Sequence, residues 1–206
     1  SLFSQGRICT LTGEELSLSD RAFRRTYAGR AFILNQRTAK ARMVADPFAK
    51  TLSKIELGQT NSWNFTARDG SLIEGTITTP PDFDPNKKYP AILYCQGGPQ
   101  QAVSQFWSYR WNFMIMAANG YVVIAPNRRG LPGFGEEWNL QISKDYGGQN
   151  MRDYFSAVDY MKGKYSYIDA DRIGAIGASY GGFSVYWLAG HHEGRFRALV
   201  AHAGIF

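Results

Sequence analysis

Alternating and unbroken hydrophobic runs follow one another along the last two thirds of the chain. Trp63-Asn64-Phe65-Thr66-Ala67-Arg68 and Leu72-Ile73-Glu74-Gly75-Thr76-Ile77-Thr78 interleave apolar and polar positions and are joined through Asp69-Gly70, which predicts a β-hairpin. Pro80-Pro81-Asp82-Phe83-Asp84-Pro85 can be neither helix nor inner strand, so a surface connector is expected there. Tyr89-Pro90-Ala91-Ile92-Leu93-Tyr94-Cys95 and Tyr121-Val122-Val123-Ile124-Ala125 are continuous apolar runs, as expected of strands buried on both faces. Between them, Ser104 to Asn119 carries Phe106, Trp107, Trp111, Phe113, Met114 and Met116 and predicts a helix stopped by Gly120. A second helix is expected after Gly147-Gly148, with Met151, Tyr154, Phe155, Val158 and Met161 on one face, Asn150 as its cap and Asp153 three residues on. Asp169 to Arg172 turns the chain into the strand Ile173-Gly174-Ala175-Ile176, a helix-like stretch follows from Phe183, and Ala198 to His202 is a last strand. Strand and helix in alternation predict a mainly parallel α/β sheet.

The first 60 residues are less legible. Leu11-Thr12-Gly13-Glu14-Glu15-Leu16 predicts a hairpin turn between short strands, and Arg21 to Ala41 mixes basic and apolar residues with a period of neither 2 nor 3.6. The expected division is an appendage over residues 1–60 and an α/β domain over residues 61–206.

Composition narrows the function classes. At 206 residues, with 44% hydrophobic and 19% charged positions, the chain can bury a real core. The net charge of +6 is concentrated in residues 1–60, which hold ten Lys or Arg against five Asp or Glu; residues 61–206 hold thirteen against twelve. A nucleic-acid binder places its basic face on the folded element that reads the ligand, and here that part is near neutral, so no nucleic-acid partner is expected. Cys9 and Cys95 make neither a disulfide scaffold nor a metal cluster, and no cofactor is expected. No run approaches 18 apolar residues, so no membrane span is expected, and Ser1 to Ser4 does not open a signal peptide. The absent initiator Met and the stop inside the apolar run from Ala198 to Phe206 suggest a piece of a longer protein.

The chemistry centres on Gly177-Ala178-Ser179-Tyr180-Gly181-Gly182, between a buried strand and a helix. A serine with glycine two residues to either side, at a sharp strand-to-helix turn, is the nucleophile elbow of the α/β-hydrolase fold. The turn strains the serine, and side chains at minus two and plus two would clash across it. The Ser179 hydroxyl then stands at the carboxyl edge of the sheet, and the Tyr180 N–H faces a forming oxyanion. Gln96-Gly97-Gly98-Pro99-Gln100, just past the strand ending at Cys95, has the glycines that let backbone N–H groups approach a substrate. In this fold the loop after the third strand supplies the second oxyanion donor. Arg128 and Arg129 leave the next strand at the same edge, where they could hold a substrate carboxylate or carbonyl; pairing with Glu136, Glu137 or Asp145 is the alternative.

A serine also needs a general base, usually a histidine oriented by a carboxylate, and in this fold the order is serine, acid, histidine. His191 and His192 fall about 18 Å from Ser179, at 1.5 Å per helical residue, and His202 has no later acid to orient it. The missing strands with acid and base should need on the order of 60 to 100 further residues. The isolated chain is therefore expected to be inactive and, with an unpaired apolar sheet edge, poorly soluble or oligomeric.

Through Tyr94-Cys95-Gln96-Gly97-Gly98-Pro99, Asn127-Arg128-Arg129-Gly130 and the elbow, residues from about Trp63 to Phe206 resemble the catalytic domain of the prolyl oligopeptidase family of serine peptidases, and most of all its dipeptidyl peptidase and acylaminoacyl peptidase branch. The resemblance implies that Ser179 is the nucleophile and that the N–H groups of Tyr180 and Gly98 form the oxyanion hole. Gln96 stands where relatives often carry Tyr or His. Ile205 matches a position in the apolar pocket for the residue before the cleaved bond. The family sets a β-propeller ahead of the hydrolase domain, which admits only short peptides, so residues 1–60 would be propeller tail and hinge. Its Asp and His lie past the position of Phe206. The function implied is removal of dipeptides or acylated residues from short peptides through an acyl-enzyme at Ser179, with a homo-oligomer among the expectations for the full-length protein. A carboxylesterase on the same scaffold and a non-enzymatic module that kept the elbow but lost its base stay open as alternatives.

Overall fold

A computed structural model of the chain describes residues 7–9, 15–17, 31–35, 38, 40–103 and 106–205. They form two compact units, one from the first 57 residues together with residues 105–112, the other from residues 58–104 and 113–206.

In the first unit, β1 (Arg7–Cys9) pairs antiparallel with β2 (Glu15–Ser17), on either side of the expected turn, whose own residues 10–14 lie outside the described ones. A second antiparallel hairpin, β3 (Ala31–Asn35) with β4 (Lys40–Ala45), runs through the stretch in which no period is readable. The reason is visible in the exposure of Ile33, Met43 and Val44, at 55%, 49% and 46%. With these apolar side chains left half in solvent, nothing imposes the alternation of a half-buried strand. A single turn, α1 (Ala49–Leu52), follows. Residues 106–112 are not the first half of a helix, contrary to the expectation from Ser104 onward. The Ser108 hydroxyl accepts the amide N–H of Arg110 at 3.2 Å and of Trp111 at 3.1 Å, a side-chain turn that competes with helical bonding.

The second unit is a six-stranded sheet clad with helices. Its elements are β5 (Gln59–Thr66), β6 (Leu72–Thr79), β7 (Tyr89–Cys95), α2 (Phe113–Ala118), β8 (Val122–Pro126), α3 (Glu136–Leu140), α4 (Gln149–Lys164), β9 (Ile168–Ala178), α5 (Tyr180–His191) and β10 (Ala198–His202). The spatial order is β10-β9-β7-β8-β6-β5. The first four strands in that order run parallel, while β6 is antiparallel to β8 and to β5. The hairpin expected through Asp69-Gly70 is β5 and β6, with Phe65 opposite Ile73 and Gly70 at φ +87 in the turn.

Alternation along the central strands sorts side chains to two faces. Leu93 and Cys95 of β7 and Val122 and Ile124 of β8 join one cluster with Met151, Tyr154, Val158 and Met161 of α4 and Val185 and Leu188 of α5. Tyr94 points the other way and meets Phe113 of α2 edge-on at 4.9 Å. Burial of each such large apolar side chain contributes roughly 1.5–3 kcal/mol, and the layers on both faces explain why these strands read as unbroken apolar runs.

The cap of α4 differs from the sequence expectation. Gly148 occupies the N-cap position, and Asn150 lies inside the first turn. The Asn150 amide donates to the Tyr146 carbonyl at 3.1 Å and to the Tyr180 hydroxyl, and Asp153 is taken by Arg129, so neither side chain is available to close a capping box.

Candidate active site

β9 ends at Ala178 and α5 begins at Tyr180, so a single residue makes the turn. That residue, Ser179, has φ +57 and ψ −122, conformations that side-chain-bearing residues rarely adopt, and its side chain is exposed to solvent. Its N–H donates to the His202 carbonyl of the neighbouring strand at 3.0 Å, and its carbonyl accepts the N–H of Phe183 at 3.0 Å in the first turn of α5. The strained turn is thus held by bonds on both sides, with the hydroxyl outside it.

The glycines around it answer to close approach. A β-carbon on Gly177 would lie 2.4 Å from the Gly181 carbonyl oxygen, and one on Gly181 would lie 2.1 Å from the Cys95 carbonyl oxygen. One on Gly97 would lie 2.7 Å from the Ala178 carbonyl oxygen. The loop after β7 therefore rests directly on the elbow, backbone against backbone. In that loop Gly98 has φ +118, open to glycine and strained for other residues.

Beneath these two segments the tyrosine hydroxyls are paired internally, while Oε1 of Gln96 and Oδ1 of Asn150 are buried without a hydrogen-bond partner among the described residues. The Tyr180 ring is buried; its hydroxyl donates to the Tyr146 carbonyl at 2.8 Å and accepts from the Asn150 amide, and burial pushes its pKa up to about 12. The Tyr154 hydroxyl, carried on the apolar face of α4, accepts the N–H of Gln96 at 3.1 Å and Nε of Arg128 at 3.2 Å. Burial likewise raises the Cys95 thiol far above its ordinary range, which removes it as a nucleophile at neutral pH.

Arg128 and Arg129 are both buried, and neither pairs with Glu136, Glu137 or Asp145. Arg129 is chelated by Asp153, which also accepts its backbone N–H at 2.8 Å, and by Asp69. Arg128 takes carbonyl oxygens and ring faces instead. These partners were not readable because they come from the loop after β7, the hairpin turn and α4, some 24 to 60 positions away in the chain. The hydroxyl of Tyr154 was equally hidden, since its position in the sequence marks only an apolar helix face.

The other sequence candidates are placed as follows. Ile205 lies past the end of β10 and is 42% exposed. His191 closes α5, with Nδ1 2.7 Å from the Trp187 carbonyl and its ring stacked on Trp187, while Nδ1 of His192 accepts the N–H of Phe196 at 3.3 Å. Both stand at the far end of the helix from Ser179. Among the described residues, no group of His, Cys, Asp and Glu side chains is arranged to hold a metal ion, and no helix is long and apolar enough to cross a membrane.

Comparison with known proteins agrees with this geometry. Residues 107–206 match the profile of the prolyl oligopeptidase family. Over 144 residues the chain is 69% identical to dipeptidyl-peptidase 5 of Porphyromonas gingivalis, covering 70% of this chain and 21% of that protein. The chain thus spans about a fifth of the length of the curated relatives it matches, 21% and 19% for two of them. Among solved structures it resembles Porphyromonas gingivalis dipeptidyl peptidase 4, at 27% identity and TM-score 0.70, over 84% of this chain and 26% of that one. It shares the fold of uncomplexed Pyrococcus horikoshii acylaminoacyl peptidase, at 24% identity and TM-score 0.73, over 81% and 26%. With its elbow at Ser179 on a mainly parallel sheet, the chain has the α/β-hydrolase fold, and its residues 107–206 are similar to the prolyl oligopeptidase family.

Proposed function

We propose that the protein is a serine peptidase that cleaves short peptides, releasing dipeptides or acylated residues through an acyl-enzyme on Ser179. The observation that carries the reading is the exposed serine held at positive φ between the end of β9 and the start of α5, in a chain 69% identical over 144 residues to a dipeptidyl-peptidase 5. In this reading the Ser179 hydroxyl oxygen bonds to the scissile carbonyl carbon while its proton passes to a general base. The carbonyl oxygen becomes an oxyanion, for which the N–H groups of Tyr180 and Gly98 are the proposed donors. Collapse of the adduct breaks the C–N bond, the amine leaves with the proton, and water releases the acyl group by the same steps. Two things support Gly98 in this role: its loop lies against the elbow, and its φ is one that only glycine adopts freely. Since the His191 and His192 rings bond local backbone at the far end of α5 from Ser179, we place the base and its orienting carboxylate outside these 206 residues, which span 21% of that relative. Ile205 is proposed for the apolar pocket of the residue before the cleaved bond.

The test is Ser179→Ala in the natural full-length protein, assayed on dipeptidyl nitroanilides and acyl-peptides. Loss of cleavage, together with loss of labelling by a fluorophosphonate probe, is expected. Cleavage that survives the substitution would sink the reading.

A further inference from the structure

Arg128 is fully buried, and among the described residues no carboxylate pairs with it. A buried cation is costly unless compensated, and a well-packed apolar side chain in its place is often at least as stable. Its sequence neighbour Arg129 has two carboxylates, so acids are within reach of this region, yet Arg128 is built without one. Its donors go elsewhere. Nη2 donates to the carbonyls of Gln96 at 3.3 Å and Pro99 at 3.0 Å, the residues on either side of Gly97-Gly98. Nη1 donates to the Arg129 carbonyl at 2.9 Å, and Nε donates to the Tyr154 hydroxyl at 3.2 Å, which also receives the Gln96 N–H. The guanidinium carbon lies 4.9 Å from the centre of the Tyr180 ring, close enough for a cation–π contact. One side chain therefore bonds the backbone of the loop that carries the Gly98 N–H and packs on the ring of Tyr180, whose N–H is the other proposed donor.

We propose that Arg128 is a positioning residue for the oxyanion hole, its planar fork fixing the Gly97-Gly98 peptides against the elbow so that the Gly98 and Tyr180 N–H groups converge on one point. The inference rests on the serine-peptidase reading and deepens it. A flexible di-glycine loop samples many orientations of its amides. Donors on the carbonyls at both of its ends remove that freedom, and preorganised donors are what stabilise a developing oxyanion. The effect is expected on the transition state and little on the bound substrate, because the guanidinium is buried under the loop with its donors engaged by protein groups.

The experiment uses the natural full-length protein with Arg128→Met and Arg128→Lys, each checked for a cooperative melt. Four quantities are measured: kcat and KM on a dipeptidyl nitroanilide, the inhibition constant of a dipeptide boronate, whose boron becomes tetrahedral and anionic on Ser179, and the affinity for the product dipeptide. For Arg128→Met, kcat should fall about 100-fold, comparable to losing one oxyanion donor. The boronate should weaken by a similar factor, while KM and product affinity stay within about three-fold. Arg128→Lys keeps the charge but not the two-pronged fork, and should fall between the two. Unchanged kcat, equal loss of boronate and product affinity, or failure of both variants to fold would each overturn the proposal, the last two by assigning Arg128 to the fold alone. Ser179→Ala separates the two claims: if it leaves cleavage intact, the peptidase reading falls, whereas an inactive Ser179→Ala beside a fully active Arg128→Met removes only the role of Arg128.

Discussion

The α-carbon of Gly181 faces the carbonyl oxygen of Cys95 so closely that a β-carbon would lie 2.1 Å from it. The start of α5 and the end of β7 meet with no side chain between them, and the obstacle is backbone on both sides. Gly181→Ala must therefore shift the helix start away from the strand. The expected outcome is a loss of about 1–3 kcal/mol of stability from overpacking, with peptide cleavage reduced at least about 100-fold by displacement of Ser179 and Tyr180. Urea unfolding and fluorophosphonate labelling rates check this; wild-type labelling in a folded Gly181→Ala protein would show that the contact does not position the elbow.

Strain at Ser179 makes a prediction of opposite sign. A residue with a β-carbon held at φ +57 and ψ −122 carries on the order of 1–3 kcal/mol of strain, and glycine escapes it at a chain-entropy cost of about 0.5–1 kcal/mol. Ser179→Gly should abolish cleavage and raise stability by about 1 kcal/mol over Ser179→Ala, which keeps the β-carbon and so the strain. Thermal melts of the two variants side by side decide it. A glycine variant melting below the alanine variant would mean that the turn stores no strain to release.

Acid stability should report on the buried Arg129 ion pairs. The hydrogen bond from the Arg129 guanidinium, helped by the N–H of Ser71, holds the Asp69 carboxyl at about 2, below its ordinary 3.8. A depressed pKa means that ionised Asp69 stabilises the fold above about pH 4 and that this contribution disappears as pH falls through 2. Wild type should therefore exceed Asp69→Asn in urea midpoint at pH 7, and the gap should close on approach to pH 2. A gap that stays constant or widens in acid would place the stabilisation elsewhere.

The elements with apolar layers on both sides were those legible in advance. β7 and β8 read as unbroken apolar runs because helices cover both their faces, and the β5–β6 turn was announced by Asp69-Gly70. The hairpin of β3 and β4 was not, because it leaves Ile33, Met43 and Val44 exposed and so imposes no pattern. The aromatic stretch before Phe113 misled for a related reason: helical spacing of large residues cannot reveal that Ser108 diverts two amides into a turn.

From the residues alone came the order of strands and helices, the elbow at Ser179 and the glycine loop after β7, since each is a local backbone requirement written in a few consecutive positions. Only the folded chain decided what holds those pieces to one another. Arg128 was open to a role at the substrate, yet it donates to the carbonyls of Gln96 and Pro99; Asn150 looked like a cap, yet it donates to Tyr180. Such partners are set by which strands lie side by side in the order β9-β7-β8 and by what α4 lays across them. A polar side chain leaving water must bond whatever that arrangement brings within about 3 Å, however far away in sequence.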